Sequence, residues 1–162
     1  MDNSKKKISK LNLVTLLKKS LDSYIFEQNS ASILIFYKKS CQTSIYLIKH
    51  LVNFWGRLNS DLQTVLLISQ DSLSKTQLFC SSNKIPFQIA LDYDNFYLSR
   101  MMGFKTVPAC YLVNSSGKIL KRTFGFEREE LIDMFDMLLR LNNYPFQPLF
   151  ENENKIPKTK PG

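Results

Sequence analysis

Two short runs constrain the fold more than anything else in the chain: Ile33-Leu34-Ile35-Phe36 and Val65-Leu66-Leu67-Ile68. Neither alternates polar with apolar residues. A strand apolar at consecutive positions must be covered on both faces, as in a sheet with helices packed on either side. Between the runs, Ile45, Leu47, Ile48, Leu51, Val52 and Trp55 recur at helical spacing, with Gly56 as the expected stop. Strand, helix and strand in this order predict a parallel pair joined by a right-handed crossover.

The rest of the chain extends this pattern. Leu13, Leu16, Leu17, Leu21 and Tyr24 recur at helical spacing, which predicts an amphipathic helix from about Ile8 to Phe26. A second crossover helix is expected over Ser72–Ser82, then a short strand at Pro86–Leu91, a polar turn at Asp92–Asn95 and a brief helix to Met102. Ala109–Asn114 and Lys118–Phe124 read as a hairpin about Ser115-Ser116-Gly117. A last helix is expected over Glu127–Leu141, with Glu127, Glu129 and Glu130 complementing its dipole. The organisation predicted is a basic flexible segment over 1–10, one domain over 11–142 and a polar tail over 143–162. The Pro, Asn, Glu and Lys content of that tail predicts disorder from Asn152 onward.

Composition bounds the function classes. At 162 residues, 44% hydrophobic, the chain can bury a core of its own. Its net charge of +8 gathers in the first nineteen residues and at Lys155, Lys158 and Lys160. No basic stretch is interleaved with aromatics as in nucleic-acid readers, so the charge is read as solubilising and nucleic acid is not an expected partner. Three scattered cysteines beside a single histidine match neither a disulfide scaffold nor zinc-ligand spacing, and no metal or other cofactor is expected. Leu11–Leu17 is too short and too polar for a signal peptide, and no run is long enough for a membrane span. The expected location is the cytoplasm, where thiols stay reduced.

Cys41 is the strongest candidate for chemistry. It follows the first apolar run and opens the helix after it, where the dipole and unpaired first-turn N–H groups favour a thiolate. The run Phe36-Tyr37-Lys38-Lys39-Ser40-Cys41-Gln42-Thr43-Ser44, together with the order of elements, resembles the TlpA-like branch of the thioredoxin superfamily, which borders on the AhpC/TSA redoxins. In that branch an aromatic-ended strand leads into a Trp-Cys-x-x-Cys loop. Here Ser40 stands for the Trp and Ser44 for the second Cys. Lys84-Ile85-Pro86-Phe87, Leu91-Asp92-Tyr93-Asp94, Gly103-Phe104-Lys105-Thr106-Val107-Pro108 and the hairpin Tyr111–Ile119 match further segments of the pattern in order, over roughly Leu11–Leu141.

The resemblance implies a thioredoxin fold: a central mixed five-stranded sheet with helices on both faces. It implies that Pro108 is cis and sets the Val107 backbone beside Cys41, where a substrate chain could pair. Val107, Ser40 and Thr43 are then the substrate-binding candidates, and Cys41, Ser44 and Pro108 the catalytic ones. Lys38 and Lys39 are expected to add positive potential, and the Ser44 hydroxyl to donate to the sulfur. A serine forms no disulfide, so reaction at Cys41 stops as a mixed disulfide until an outside thiol resolves it. The expected function is monothiol thiol–disulfide exchange with protein thiols or glutathione. The alternative is a redox-inactive module holding a protein partner in the groove beside Cys41 and Pro108.

Other features carry less. The Thr-x-x-Cys loop of peroxiredoxins is absent, and Arg100 stands in no motif that marks their arginine. Monothiol relatives that share an iron–sulfur cluster through Cys-x-x-Ser and glutathione suggest a third, weaker reading, which the colour of the purified protein tests. His50 lies about nine residues, more than two helical turns, beyond Cys41, too far for acid–base pairing. Asp92 and Asp94 suit a turn better than a calcium loop, because Phe96 stands where a ligand is needed. Cys80 is expected in the core. Cys110, two residues after Pro108, is expected to be buried in packing although its strand could bring it near Cys41.

Overall fold

The computed structural model describes residues 7–8, 11, 13–17, 19–21, 26–58 and 63–162. Its elements are β1 (Leu13–Thr15), β2 (Ser20–Leu21), β3 (Ala31–Tyr37), α1 (Gln42–Leu58), β4 (Val65–Ser69), α2 (Leu73–Asn83), β5 (Gln88–Leu91), α3 (Tyr97–Met102), β6 (Ala109–Asn114), β7 (Ile119–Phe124), β8 (Phe126–Glu127), α4 (Arg128–Leu141) and β9 (Thr159–Lys160). The main sheet has seven strands in the order β2-β1-β5-β4-β3-β6-β7 rather than the expected five. β3, β4 and β5 are parallel, and β6 runs antiparallel to β3.

The unbroken apolar runs become the centre of this sheet, with every residue of β3 and β4 buried. Alternate side chains feed two cores. Ile33, Ile35, Val65 and Leu67 pack with Leu47, Leu51 and Phe54 of α1, Phe79 of α2 and Phe135 of α4. Leu34, Phe36, Leu66 and Ile68 pack on the other face with Leu98 and Met102 of α3. Truncating a buried phenylalanine in such a layer, Phe36→Ala for example, costs about 3–5 kcal/mol. Gly56 does not end α1, which runs on to Leu58.

Two readings are corrected. The helix expected over Ile8–Phe26 is absent among its described residues: β1 and β2 form a hairpin, and Val14 and Thr15 pair with Leu91 and Ala90 of β5. Leu13 is buried and its neighbour Val14 is 44% exposed, which is strand alternation, while Leu17, four residues on from Leu13, lies exposed in the turn instead of sharing a helical face with it. An unpaired edge at β5 decides the matter, because its open backbone groups are satisfied only by another strand. Within the segment expected to be flexible, Lys7 bridges to Lys118 and the Ile8 N–H donates to the Gly117 carbonyl at 2.9 Å. Lys5 and Lys6 lie outside the described residues.

The tail is the second correction. Residues 143–162 follow the domain surface instead of leaving it. Leu149 and Phe150 are buried, Arg57 donates to the Pro148 carbonyl at 2.6 Å, and Arg128 donates to the Ile156 carbonyl at 3.0 Å. After a short 3-10 turn at Glu153–Lys155, β9 pairs antiparallel with β8. Polar composition hides these few anchors: tail carbonyls that accept from arginines of α1 and α4, and two apolar side chains that join the core.

Candidate functional site

Register brings the site together. β3 and β6 are antiparallel with Phe36 opposite Ala109, so the loop leaving β3 meets the residues entering β6. Those are Lys38–Cys41 on one side and Val107-Pro108 on the other, and the peptide bond between Val107 and Pro108 is cis. The loop is held by the Cys41 N–H donating to the Lys38 carbonyl at 3.0 Å and by the Lys39 N–H donating to Asp71 Oδ2 at 2.6 Å.

Cys41 occupies the N-cap position of α1. Its carbonyl accepts the first helical bond, from the Ile45 N–H at 3.1 Å, and its sulfur accepts from the Ser44 N–H at 3.4 Å. The sulfur thus does what a serine or aspartate oxygen does at a helix start. On its other side the thiol donates to the Val107 carbonyl at 3.1 Å. The side chain is half-buried, so a reagent can reach it. Once the proton leaves, the Ser44 N–H and the end of α1 remain as partners for the charge.

Ser44 plays a different part from the one expected. Its hydroxyl is fully buried with no hydrogen-bond partner, and it is the backbone N–H that bonds to the sulfur. The structure brings Cys41, Ser44, Val107 and Pro108 together. Thr43 is buried beside them, and its hydroxyl donates to the Pro161 carbonyl of the tail. A β-carbon placed on Gly162 would collide with the Val107 carbonyl, so the tail lies directly over this peptide. Ser40 and Lys39 are exposed in the loop, and Lys38 reaches a cleft that Val107 also lines.

The other cysteines stand apart from this arrangement. Cys110 is wholly buried opposite Ile35, and burial pushes its thiol up to about 12. Burial also raises the Cys80 thiol. His50 packs edge-on against Tyr46 and Phe150, and burial, followed by the nearby Arg57, lowers its pKa. Asp92 closes a turn, accepting the Leu98 N–H at 3.0 Å and the Ser99 N–H at 2.7 Å. Arg100, which stands in no recognisable motif, lines the same cleft as Lys38 and Val107. The signal for it was the stretch beginning at Gly103, which carries the chain from α3 to Pro108.

Residues 6–122 match the model of the AhpC/TSA family. The chain belongs to the AhpC/TSA family. No curated protein matches it. Among solved structures, this AhpC/TSA member is similar to StoA from Bacillus subtilis, at 21% identity and a TM-score of 0.61, covering 80% of this chain and 99% of that one. A thiol:disulfide interchange protein of the thioredoxin family from Chlorobium tepidum is 17% identical with a TM-score of 0.66, covering 83% and 96%. The exposed lipoprotein thioredoxin Etrx1 of Streptococcus pneumoniae is 14% identical with a TM-score of 0.64, covering 80% and 99%. These likenesses establish a thioredoxin fold for the AhpC/TSA chain. Among the described residues, no helix is long and apolar enough to cross a membrane.

Proposed function

We propose that the protein carries out thiol–disulfide exchange through a single thiol, Cys41, forming mixed disulfides with protein thiols or glutathione. One observation carries this reading: a reachable sulfur caps α1, with an N–H donor on one side, the Val107 carbonyl on the other and a serine where a second thiol would stand. The thiolate attacks one sulfur of a disulfide, a Cys41–sulfur bond forms, and the other sulfur departs as a thiolate. Ser44 cannot reverse this step, so release requires an outside thiol. That dependence suits a compartment that keeps thiols reduced, and the cytoplasm is the proposed location.

The groove also supports a second reading, a module that holds a chain without turnover. Thr43 and Val107 already face an extended segment, Lys160-Pro161-Gly162. Reduction of insulin or of a glutathionylated peptide by the native protein and by Cys41→Ser separates the two. Exchange predicts a rate at least 100-fold lower in the variant. Equal residual rates would favour the holding module.

A further inference from the structure

Val107 has two sides. Over its carbonyl lies Gly162, while its side chain helps to close a surface cleft of about 310 Å³. The rim of that cleft carries Lys38, Arg100 and Lys105, with Gln70 and Thr106 between them. All three cations are exposed, and none forms an ion pair among the described residues.

No acidic side chain lines the cleft. Two carboxylates at the ends of neighbouring strands, Asp71 after β4 and Asp92 after β5, are engaged elsewhere. Asp71 accepts from the Lys39 backbone, and Asp92 accepts from the backbone of Leu98 and from both the backbone and the hydroxyl of Ser99. Ser99 in turn accepts from the Gln70 amide at 2.8 Å, which ties together two of the residues that line the cleft. Three like charges around a concave surface focus positive potential and raise the local concentration of anions. The volume falls at the low end of ligand clefts, roughly 300–1,000 Å³, which suits part of a small molecule rather than a folded partner. The tail across the other side of Val107 narrows the approach of a polypeptide and leaves the basic side open.

Resting on the reading of Cys41 as an exchanging thiol, we propose that this cleft is a subsite for the carboxylates of a small anionic disulfide, the class represented by oxidised glutathione. The cleft holds one half of the disulfide so that a sulfur reaches Cys41 past Val107. The Cys41 thiolate forms a bond to that sulfur, the original sulfur–sulfur bond breaks, and the leaving thiolate takes a proton from water. One disulfide replaces another, with no net oxidation or reduction.

The test uses the full chain at low ionic strength with three reagents: oxidised glutathione (anionic), hydroxyethyl disulfide (neutral) and cystamine (cationic). Cys41 adducts are followed by intact mass, and each rate is normalised to the same reagent acting on a free-cysteine peptide. The anionic reagent is expected to outpace the cationic one by at least ten-fold. Arg100→Glu and Lys105→Glu should collapse or invert that ratio, and so should 0.5 M salt. Lys118→Glu, in the β6–β7 turn at the opposite end of the sheet, should leave the ratio within two-fold. A ratio near one, or an equal response to Lys118→Glu, would overturn the subsite while leaving exchange at Cys41 intact. No adduct at Cys41 with any reagent would instead overturn the exchange reading, and the subsite with it.

Discussion

Cys41 and Cys110 carry the same functional group and lie on adjoining parts of the structure, yet their surroundings are opposite. The sulfur of Cys41 sits at the mouth of a helix with a donor, an acceptor and access to solvent. That of Cys110 sits in the middle of the sheet, fully enclosed, on a strand paired on both sides by β3 and β7. The difference teaches that the chemistry comes from where the backbone ends its own hydrogen bonding. A helix start leaves N–H groups without partners, while a central strand leaves none.

The largest effect that could break this contrast is on reaction rate. Cys41→Ser is expected to remove mixed-disulfide formation by at least 100-fold. Cys110→Ser should keep the rate within two-fold while losing about 1–3 kcal/mol of stability, because it buries a hydroxyl without an established partner. A Cys110 variant that loses exchange while remaining folded would abolish the distinction.

Titration sharpens it next. Burial raises the Cys110 thiol to about 12 from an ordinary value of 9.0, so the folded state keeps its proton where the unfolded chain has lost it. Its contribution to stability is therefore complete below about pH 9 and declines as pH rises toward 12, at about 1.4 kcal/mol per pH unit. Denaturant unfolding followed from pH 8 to 11 should show this fall, and it should diminish in Cys110→Ala. In the native protein at pH 8, iodoacetamide should modify Cys41 first and reach Cys110 only after unfolding.

These two environments were not equally legible in the sequence. The strands of the central sheet announce themselves because burial on both faces leaves consecutive apolar residues, and Cys41 stands between such a strand and a helical period. The hairpin β1–β2 does not, since Leu13, Leu16, Leu17 and Leu21 fit a helix as well as a strand until the open edge of β5 is known. The tail is hidden for a related reason: its anchors are Arg57 and Arg128, far away in the chain and with no local pattern. Arg100 comes near Lys38 and Val107 only because α3 and the Lys38 loop meet across a cleft.

Ser44 offers a smaller but cleaner measurement. Its hydroxyl lacks a partner, so Ser44→Ala should raise stability by about 1 kcal/mol, or about 3 °C in melting temperature for a chain of this size. The rate at Cys41 should stay within two-fold, because the donor to the sulfur is the backbone N–H. A large drop in rate would mean that the hydroxyl turns toward the thiolate during reaction. Ser44→Cys should convert the site to a dithiol, detectable as a loss of two mass units on oxidation.

The smallest effect concerns the tail, the part of the site most distant from Cys41 in sequence. Thr43 holds the Pro161 carbonyl, and β9 is only two residues long, so the closing segment depends on few bonds. Thr43→Val keeps the shape and removes the donor, at a cost of about 0.5–1.5 kcal/mol felt locally rather than globally. Amide exchange at Thr159 and Lys160 should then quicken by up to about ten-fold, with the melting temperature nearly unchanged. Because the tail lies over the Val107 carbonyl, loosening it should speed the reaction of Cys41 with a disulfide-bonded peptide more than its reaction with oxidised glutathione. Equal acceleration of both would mean that the tail screens the sulfur itself and not just the peptide side of the groove.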